Sequence, residues 1–221
     1  MTHRIALQQV LQLTPDTRQY VFSRPSNYNF KPGQATDLAL DREGWRDEKR
    51  PFTFTNDPDA NILSFTIKSY PSHDGVTARL ASLEPGDDVL IDEPWGAIED
   101  KGPGVFLAAG AGITPFIGIL KQRARKREIS ECSLHFANRT EDDIICRHLW
   151  ENLPGFEVEF LLSDPQRGNV PARRLDAAYL DQAITDWDQR FYLCGPPEME
   201  DEVADILRSN GVPDEKIVRE E

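Results

Sequence analysis

Apolar and polar residues alternate through most of the first hundred positions. The segments are RIALQQVLQLT (4–14), RQYVFSR (18–24), ATDLALD (35–41), RPFTFTN (50–56), ILSFTIKSY (62–70) and DDVLIDEPW (87–95). A period of two sends successive side chains to opposite faces, so each segment reads as a strand with one face inward. Turn-forming residues separate them, as in KPGQ (31–34), NDPDAN (56–61) and EPGDD (84–88). That many short strands with one helical stretch, 75–83, predict a small antiparallel β-barrel.

The rhythm changes near residue 101. Four apolar runs, VFLAAG (105–110), SLHFA (133–137), VEFLL (158–162) and FYLCG (191–195), recur with helical patterns between them. Buried parallel strands joined by crossover helices have this signature, so the second half is expected to be an α/β domain. The organisation expected is therefore two domains, an antiparallel β-barrel over 1–100 and a parallel-sheet nucleotide-binding domain over 101–221, joined at KGPG (101–104).

Composition removes several functions. With 38 acidic and 25 basic side chains the formal charge is −13, which argues against nucleic acid and anionic membranes as partners. No apolar run approaches the roughly 20 residues that span a bilayer, and the polar start MTHRIALQQV lacks a signal-peptide core, so a cytoplasmic location is expected. Cys132, Cys146 and Cys194 are scattered, as are the four histidines, so neither a disulfide framework nor a metal site is indicated. An iron–sulfur cluster needs four thiolates, more than these cysteines supply.

The first chemical candidate is the turn after VFLAAG. Thr114 suits an N-cap and Pro115 a first helical residue, so amide hydrogens and the positive helix end are expected to face outward at the strand's carboxyl edge. Gly110 and Gly112 would let a pyrophosphate approach closely, although any strand-to-helix turn can use glycines and a lone Gly-x-Gly is weak. The basic run 121–127 that ends this helix complements its dipole on a solvated face. In FYLCGPPEMEDEVADIL (191–207), Cys194 ends a strand on the same rim as Gly110. A helix follows, with Met199, Val203, Ile206 and Leu207 on one face, closing near Gly211. With no histidine or basic residue beside it, Cys194 reads as a packing residue and not as a nucleophile.

Four motifs in order, Arg50-Pro51-Phe52-Thr53, Gly75-Val76-Thr77, Gly110-Ala111-Gly112-Ile113-Thr114-Pro115 and Cys194-Gly195-Pro196-Pro197, resemble the ferredoxin–NADP reductase superfamily across essentially the whole chain. On its own RPFTFT reads as a barrel strand with an ion-paired arginine. The resemblance implies that it holds a flavin, with Arg50 on a phosphate, Phe52 against the cofactor and Thr53 near the ring's N5. Relatives usually carry tyrosine at Phe52. Ile67 and Lys68 would join the cofactor site, and Gly75, Val76 and Thr77 would complete the pyrophosphate site. Gly110, Gly112, Thr114, Pro115, Arg139, Asp164, Cys194, Gly195 and Pro196 would surround the nicotinamide nucleotide. Thr53 and Cys194 would stand at the reacting rings.

The implied activity is hydride transfer from NADH or NADPH to FAD, followed by electron release to a one-electron carrier such as ferredoxin or flavodoxin, or to a small acceptor. A flavin- or nicotinamide-binding module, or an electron-transfer subunit of a larger complex, is the alternative. Asp164 and Asn169 stand where NADP-preferring relatives commonly have arginines, which favours NADH, while Arg139 and Arg167 argue for NADPH. The terminal IVREE lacks the aromatic residue that covers the flavin in many relatives. Ferredoxins and flavodoxins are acidic, so docking one would need a basic patch, for which 121–127 is the candidate.

Overall fold

The computed structural model describes residues 1–69, 75–96, 98–166 and 171–220. Arg167 and Asn169 lie outside them. The first half contains strands β1 (His3–Thr14), β2 (Thr17–Ser23), β3 (Gln34–Leu40), β4 (Arg50–Thr53), β5 (Ile62–Lys68), β6 (Asp88–Ile91) and β7 (Trp95–Gly96), with one helix, α1 (Val76–Leu80). They hydrogen-bond in the order β4-β3-β6-β1-β2-β5, all antiparallel, with β7 alongside β3.

The predicted strand over 50–56 is divided between two partners. Residues 50–53 pair with β3, whereas Phe54 bridges to Phe65 of β5 and the Thr55 amide donates to the Ser64 carbonyl at 2.8 Å. That change of partner joins the two ends of the sheet order into a barrel, which a flat reading of the alternation could not show. Inside lie Leu38, Leu40, Phe54, Phe65 and Ile91, all at 0% exposure. Helix α1 is shorter than the 75–83 expected, with Leu83 reached through a turn.

The second half forms a five-stranded parallel sheet in the order β10 (Glu157–Leu162), β9 (Ser133–Asn138), β8 (Gly104–Ala109), β11 (Arg190–Cys194), β12 (Ile217–Val218). The predicted runs supply four of these strands. The fifth was missed because two residues are too few to show a period. Helices α2 (Thr114–Lys126) and α3 (Arg147–Glu151) bring Phe116, Ile117, Leu120 and Trp150 to one core. Helices α4 (Ala177–Ala183) and α5 (Pro197–Ser209) bring Leu180, Val203 and Leu207 to another. Among the described residues no helix is long and apolar enough to cross a membrane.

The halves meet closely. Gly118 of α2 packs against the barrel so tightly that a Cβ there would lie 3.3 Å from the Phe54 carbonyl oxygen. Arg125 pairs with Asp57 and with Asp59, the latter at 3.0 Å. The chain just beyond β4 is thus anchored on the helix that begins at the glycine turn.

Candidate functional site

Strand order reverses between β8 and β11: the chain moves outward from β8 to β9 and β10, then returns to β11. In a parallel sheet the loops leaving two such strands diverge and open a crevice at their carboxyl ends. A cleft of about 890 Å³ lies there, walled by Gly110, Ala111 and Gly112 after β8, Asn138 after β9, Ser163 after β10 and Gly195 after β11. Lys68, at the end of barrel strand β5, also lines it. The barrel therefore contributes to the wall of the cleft.

The two glycines serve different needs. Gly110 has φ +53°, and a Cβ built on it would meet nothing within 4 Å, so it provides both the left-handed turn and open space. Gly112 faces inward: a Cβ there would fall 2.2 Å from the Cys194 carbonyl oxygen and 2.6 Å from the Gly195 nitrogen. Its missing side chain lets two loops touch, while the residue still lines the cleft. The expected N-cap is revised. Residues Gly110–Ile113 form a 3-10 turn that runs directly into α2, so Thr114 is already helical and Pro115 is second. The left-handed Gly110 moves the free amides upstream, to the turn itself.

Cys194 ends β11 opposite Ala108 of β8 and is 8% exposed. Burial, with the Glu220 and Glu200 carboxylates nearby, pushes its thiol far above the usual range, so it carries no thiolate. Glu200 accepts a hydrogen bond from the Gly195 amide at 2.8 Å and fixes the loop, and Pro196 lines the cleft beside it. At the other end, Arg139 and Asp164, expected to pull coenzyme preference in opposite directions, pair with each other at 3.5 Å. The Asp164 amide also donates to the Arg139 carbonyl at 2.8 Å.

In the barrel, Arg50 is half-exposed. It donates to the Lys49 carbonyl at 2.6 Å and lies 3.7 Å from the exposed Glu48 carboxylate. Such a loose pair leaves the guanidinium available for a phosphate. Pro51 is exposed, Phe52 packs partly on the barrel core, and Thr53 is 9% exposed. Ile67 is buried, so its side chain belongs to the core and is not presented to a ligand as expected. Lys68 pairs with Asp16 at 3.0 Å. Val76 is buried, the Thr77 carbonyl accepts from Ser69, and Gly75 at the head of α1 has open space where a Cβ would stand.

Sequence reasoning missed Asn138, the last residue of β9. It was legible only as the residue ending the second parallel strand. It also missed His135, buried on β9, whose Nδ1 is hydrogen-bonded to the Tyr179 hydroxyl of α4 at 2.6 Å. Burial lowers the pKa of that imidazole to about 4. The basic run is partly spent inside the molecule, because Arg123 bonds Asp100 at 2.5 Å and Arg125 holds Asp57 and Asp59.

Barrel, parallel sheet and switch-point cleft together define a two-domain nucleotide-binding oxidoreductase fold. Residues 106–205 match the family described as oxidoreductase NAD-binding domain. The chain is 27% identical over 232 residues to the reductase component of propane 2-monooxygenase from Mycolicibacterium goodii, covering 95% of this chain and 65% of that protein. It thus spans less than two thirds of that relative's length. Among solved structures it resembles the CS-b5R domains of human Ncb5or in the NAD+ form, with TM-score 0.86, 26% identity, and coverage of 98% of this chain and 68% of that one. It shares its fold with a ferredoxin NADP+ reductase from Neisseria gonorrhoeae, with TM-score 0.80, 23% identity, and coverage of 95% and 92%. Its C-terminal half thus matches an oxidoreductase NAD-binding domain, and its two-domain architecture resembles that of the ferredoxin–NADP reductase superfamily.

Proposed function

We propose that this chain is a flavoprotein reductase that takes hydride from NADH, in preference to NADPH, onto bound FAD and delivers electrons to a separate acceptor. One observation carries the reading: the switch-point cleft, with its open glycine turn, is walled in part by the barrel, and α2 is packed on the chain leaving Arg50–Thr53. Two ligands held by those two elements would meet across one crevice.

The residues present fit the two cofactors. Arg50 is loosely paired and Gly75 opens space at the head of α1, as a flavin phosphate needs. Gly110 offers the same openness to the dinucleotide. Bound FAD would accept electrons as a hydride pair and release them singly. The chain's own task is positioning. Arg50 and the 75–77 segment would anchor the flavin's phosphates, Phe52 and Thr53 would set its ring, and the 110–113 turn would bind the dinucleotide's pyrophosphate. Cys194, a protonated thiol at the rim, would pack against the nicotinamide and transfer no proton at neutral pH.

The preference for NADH rests on Asp164, whose carboxylate would repel a 2′-phosphate; the exposed Arg139, 3.5 Å from that carboxylate, would oppose it. The relative named a monooxygenase reductase component makes a protein acceptor, an oxygenase component or an electron carrier, the proposed destination. With −13 net charge and two cations of the basic run internally paired, a partner with a positive docking face suits this surface better than an acidic ferredoxin or flavodoxin.

Purified protein should be yellow, bleach when NADH is added without oxygen, and reduce ferricyanide catalytically. Protein that binds no flavin, or that stays coloured in NADH, refutes the reading.

A further inference from the structure

We propose that the groove beneath α4 is a second ligand site, which takes a small organic cation: an ammonium or guanidinium borne on an apolar chain. The groove has a volume of about 780 Å³ and reaches the amino ends of β9 and β10, the edge of the sheet opposite the nucleotide cleft. Strand register fixes what stands on its floor. Ser133 pairs with Val105 and Glu157, and His135, on the same face, pairs with Leu107 and Glu159. Val105 and Leu107 share a buried core with Leu180 of α4, so both rows of side chains face that helix.

Charge is uneven along the groove. Arg173, Arg174 and Asp176 stand at the end shared with the nucleotide cleft. There Arg173 holds Glu159 at 3.0 Å and Asp176 caps α4. Toward the amino ends lie Glu131 and Glu157, whose carboxylates have no hydrogen-bond or ion-pair partner among the described residues. No described cation lines that end.

His135 adds an independent feature. Its ring is 9% exposed, Nδ1 is hydrogen-bonded to the Tyr179 hydroxyl at 2.6 Å, and Nε2 has no partner among the described residues. The fully buried orphan side-chain atoms of these residues are Tyr20 Oη and Asn138 Oδ1, so Nε2 is not sealed in and reaches the groove that its ring lines. Because a hydroxyl both donates and accepts, Nδ1–H can donate to Tyr179 and leave a lone pair on Nε2. Burial keeps this imidazole neutral at pH 7, so it offers an acceptor without adding positive charge.

The ligand's chemistry follows. Two unpaired carboxylates, a neutral nitrogen acceptor and the Ser133 hydroxyl suit a charged group with several N–H donors, and the apolar wall of Val105, Ala183 and Ile184 suits the carbon chain behind it. A metal ion does not fit: among the described residues no three His, Cys, Asp or Glu side chains are grouped to hold one.

The test is calorimetric titration with agmatine, a guanidinium and an ammonium on a short alkyl chain, at about 0.1 M salt so that diffuse attraction to the −13 charge is screened. Wild type should bind one equivalent with a dissociation constant of about 1 mM or below. Glu157→Gln and His135→Phe should each weaken binding about ten-fold, through loss of a charge-assisted contact and of the nitrogen acceptor. Glu215→Gln, which removes the same charge from an exposed position outside the groove, should leave it unchanged. Wild-type protein that shows no saturable binding overturns the assignment. So does affinity that Glu157→Gln and Glu215→Gln change equally or not at all, and so does unchanged affinity in a folded His135→Phe. Glu157 is exposed on the edge strand, so its comparison stands even if His135→Phe fails to fold.

Discussion

His135 should make the nucleotide-binding domain acid-sensitive at mild pH. The imidazole lies on β9 at 9% exposure, hydrogen-bonded to Tyr179, and burial holds its pKa at about 4 against an ordinary 6.5. In the unfolded chain the ring protonates near 6.5, so between about 6.5 and 4 the unfolded state binds more protons than the folded one. Stability then rises with pH across that window and is lost as pH falls through it. At 1.36 kcal/mol per pH unit the full span is worth about 3 kcal/mol, a large fraction of a domain's stability. Below about pH 4 both states carry the proton and this contribution stops changing. The consequence reaches the cleft, because the bond from β9 to α4 secures the segment whose Asp176 caps α4 and lines the nucleotide crevice. The assay is urea denaturation from pH 7 to pH 4 of wild type and of His135→Gln, which keeps a hydrogen-bonding side chain but cannot titrate. Wild type should lose about 3 kcal/mol more than the variant over that range. Parallel profiles would refute the claim that this buried ring carries the acid sensitivity.

Four further outcomes are expected. Gly112→Ala should cost about 1–3 kcal/mol, because the added carbon meets main-chain atoms of Cys194 and Gly195 that cannot swing aside; an unchanged melting temperature would contradict the tight loop contact. Asp100→Ala should destabilise by about 2–3 kcal/mol, since it leaves the buried Arg123 guanidinium unpaired, as chemical denaturation would show. Arg50→Ala should raise the FAD dissociation constant by about ten- to a hundred-fold through loss of a charge-assisted phosphate contact, measured by flavin fluorescence. Asp164→Ser should free Arg139 and improve NADPH efficiency relative to NADH by roughly two- to five-fold in steady-state kinetics, the scale of an exposed ion pair.

Much of the architecture was legible because it rests on local rules. Alternation reports a half-buried strand, a long apolar run a fully buried one, and Gly-Ala-Gly-Ile-Thr-Pro a strand turning into a helix. These gave both sheets, the helices that follow β8 and β11, and the rim shared by Gly110 and Cys194. Local rules failed where the deciding partner is remote in sequence. Phe54 keeps its amide on the Gln34 carbonyl of β3 while bridging to Phe65, and Thr55 passes to Ser64 of β5; that closure of the barrel is recorded nowhere within RPFTFTN. Gly112 lines the cleft, but the space where its side chain would stand is taken by Cys194, more than eighty residues away.

The chain's own order of residues determined two domains of opposite strand sense, an acidic surface, and a set of motifs that place it beside flavin reductases. Tertiary structure alone decided which of those residues face the cleft. It pairs Arg139 with Asp164, spends Arg123 and Arg125 on carboxylates of the same chain, sinks Ile67 into the barrel core and, among the described residues, leaves the Asn138 oxygen without a donor. The physical reason is that charge and hydrogen-bonding capacity are properties of a residue, whereas their availability is what remains after the folded neighbours have taken their share.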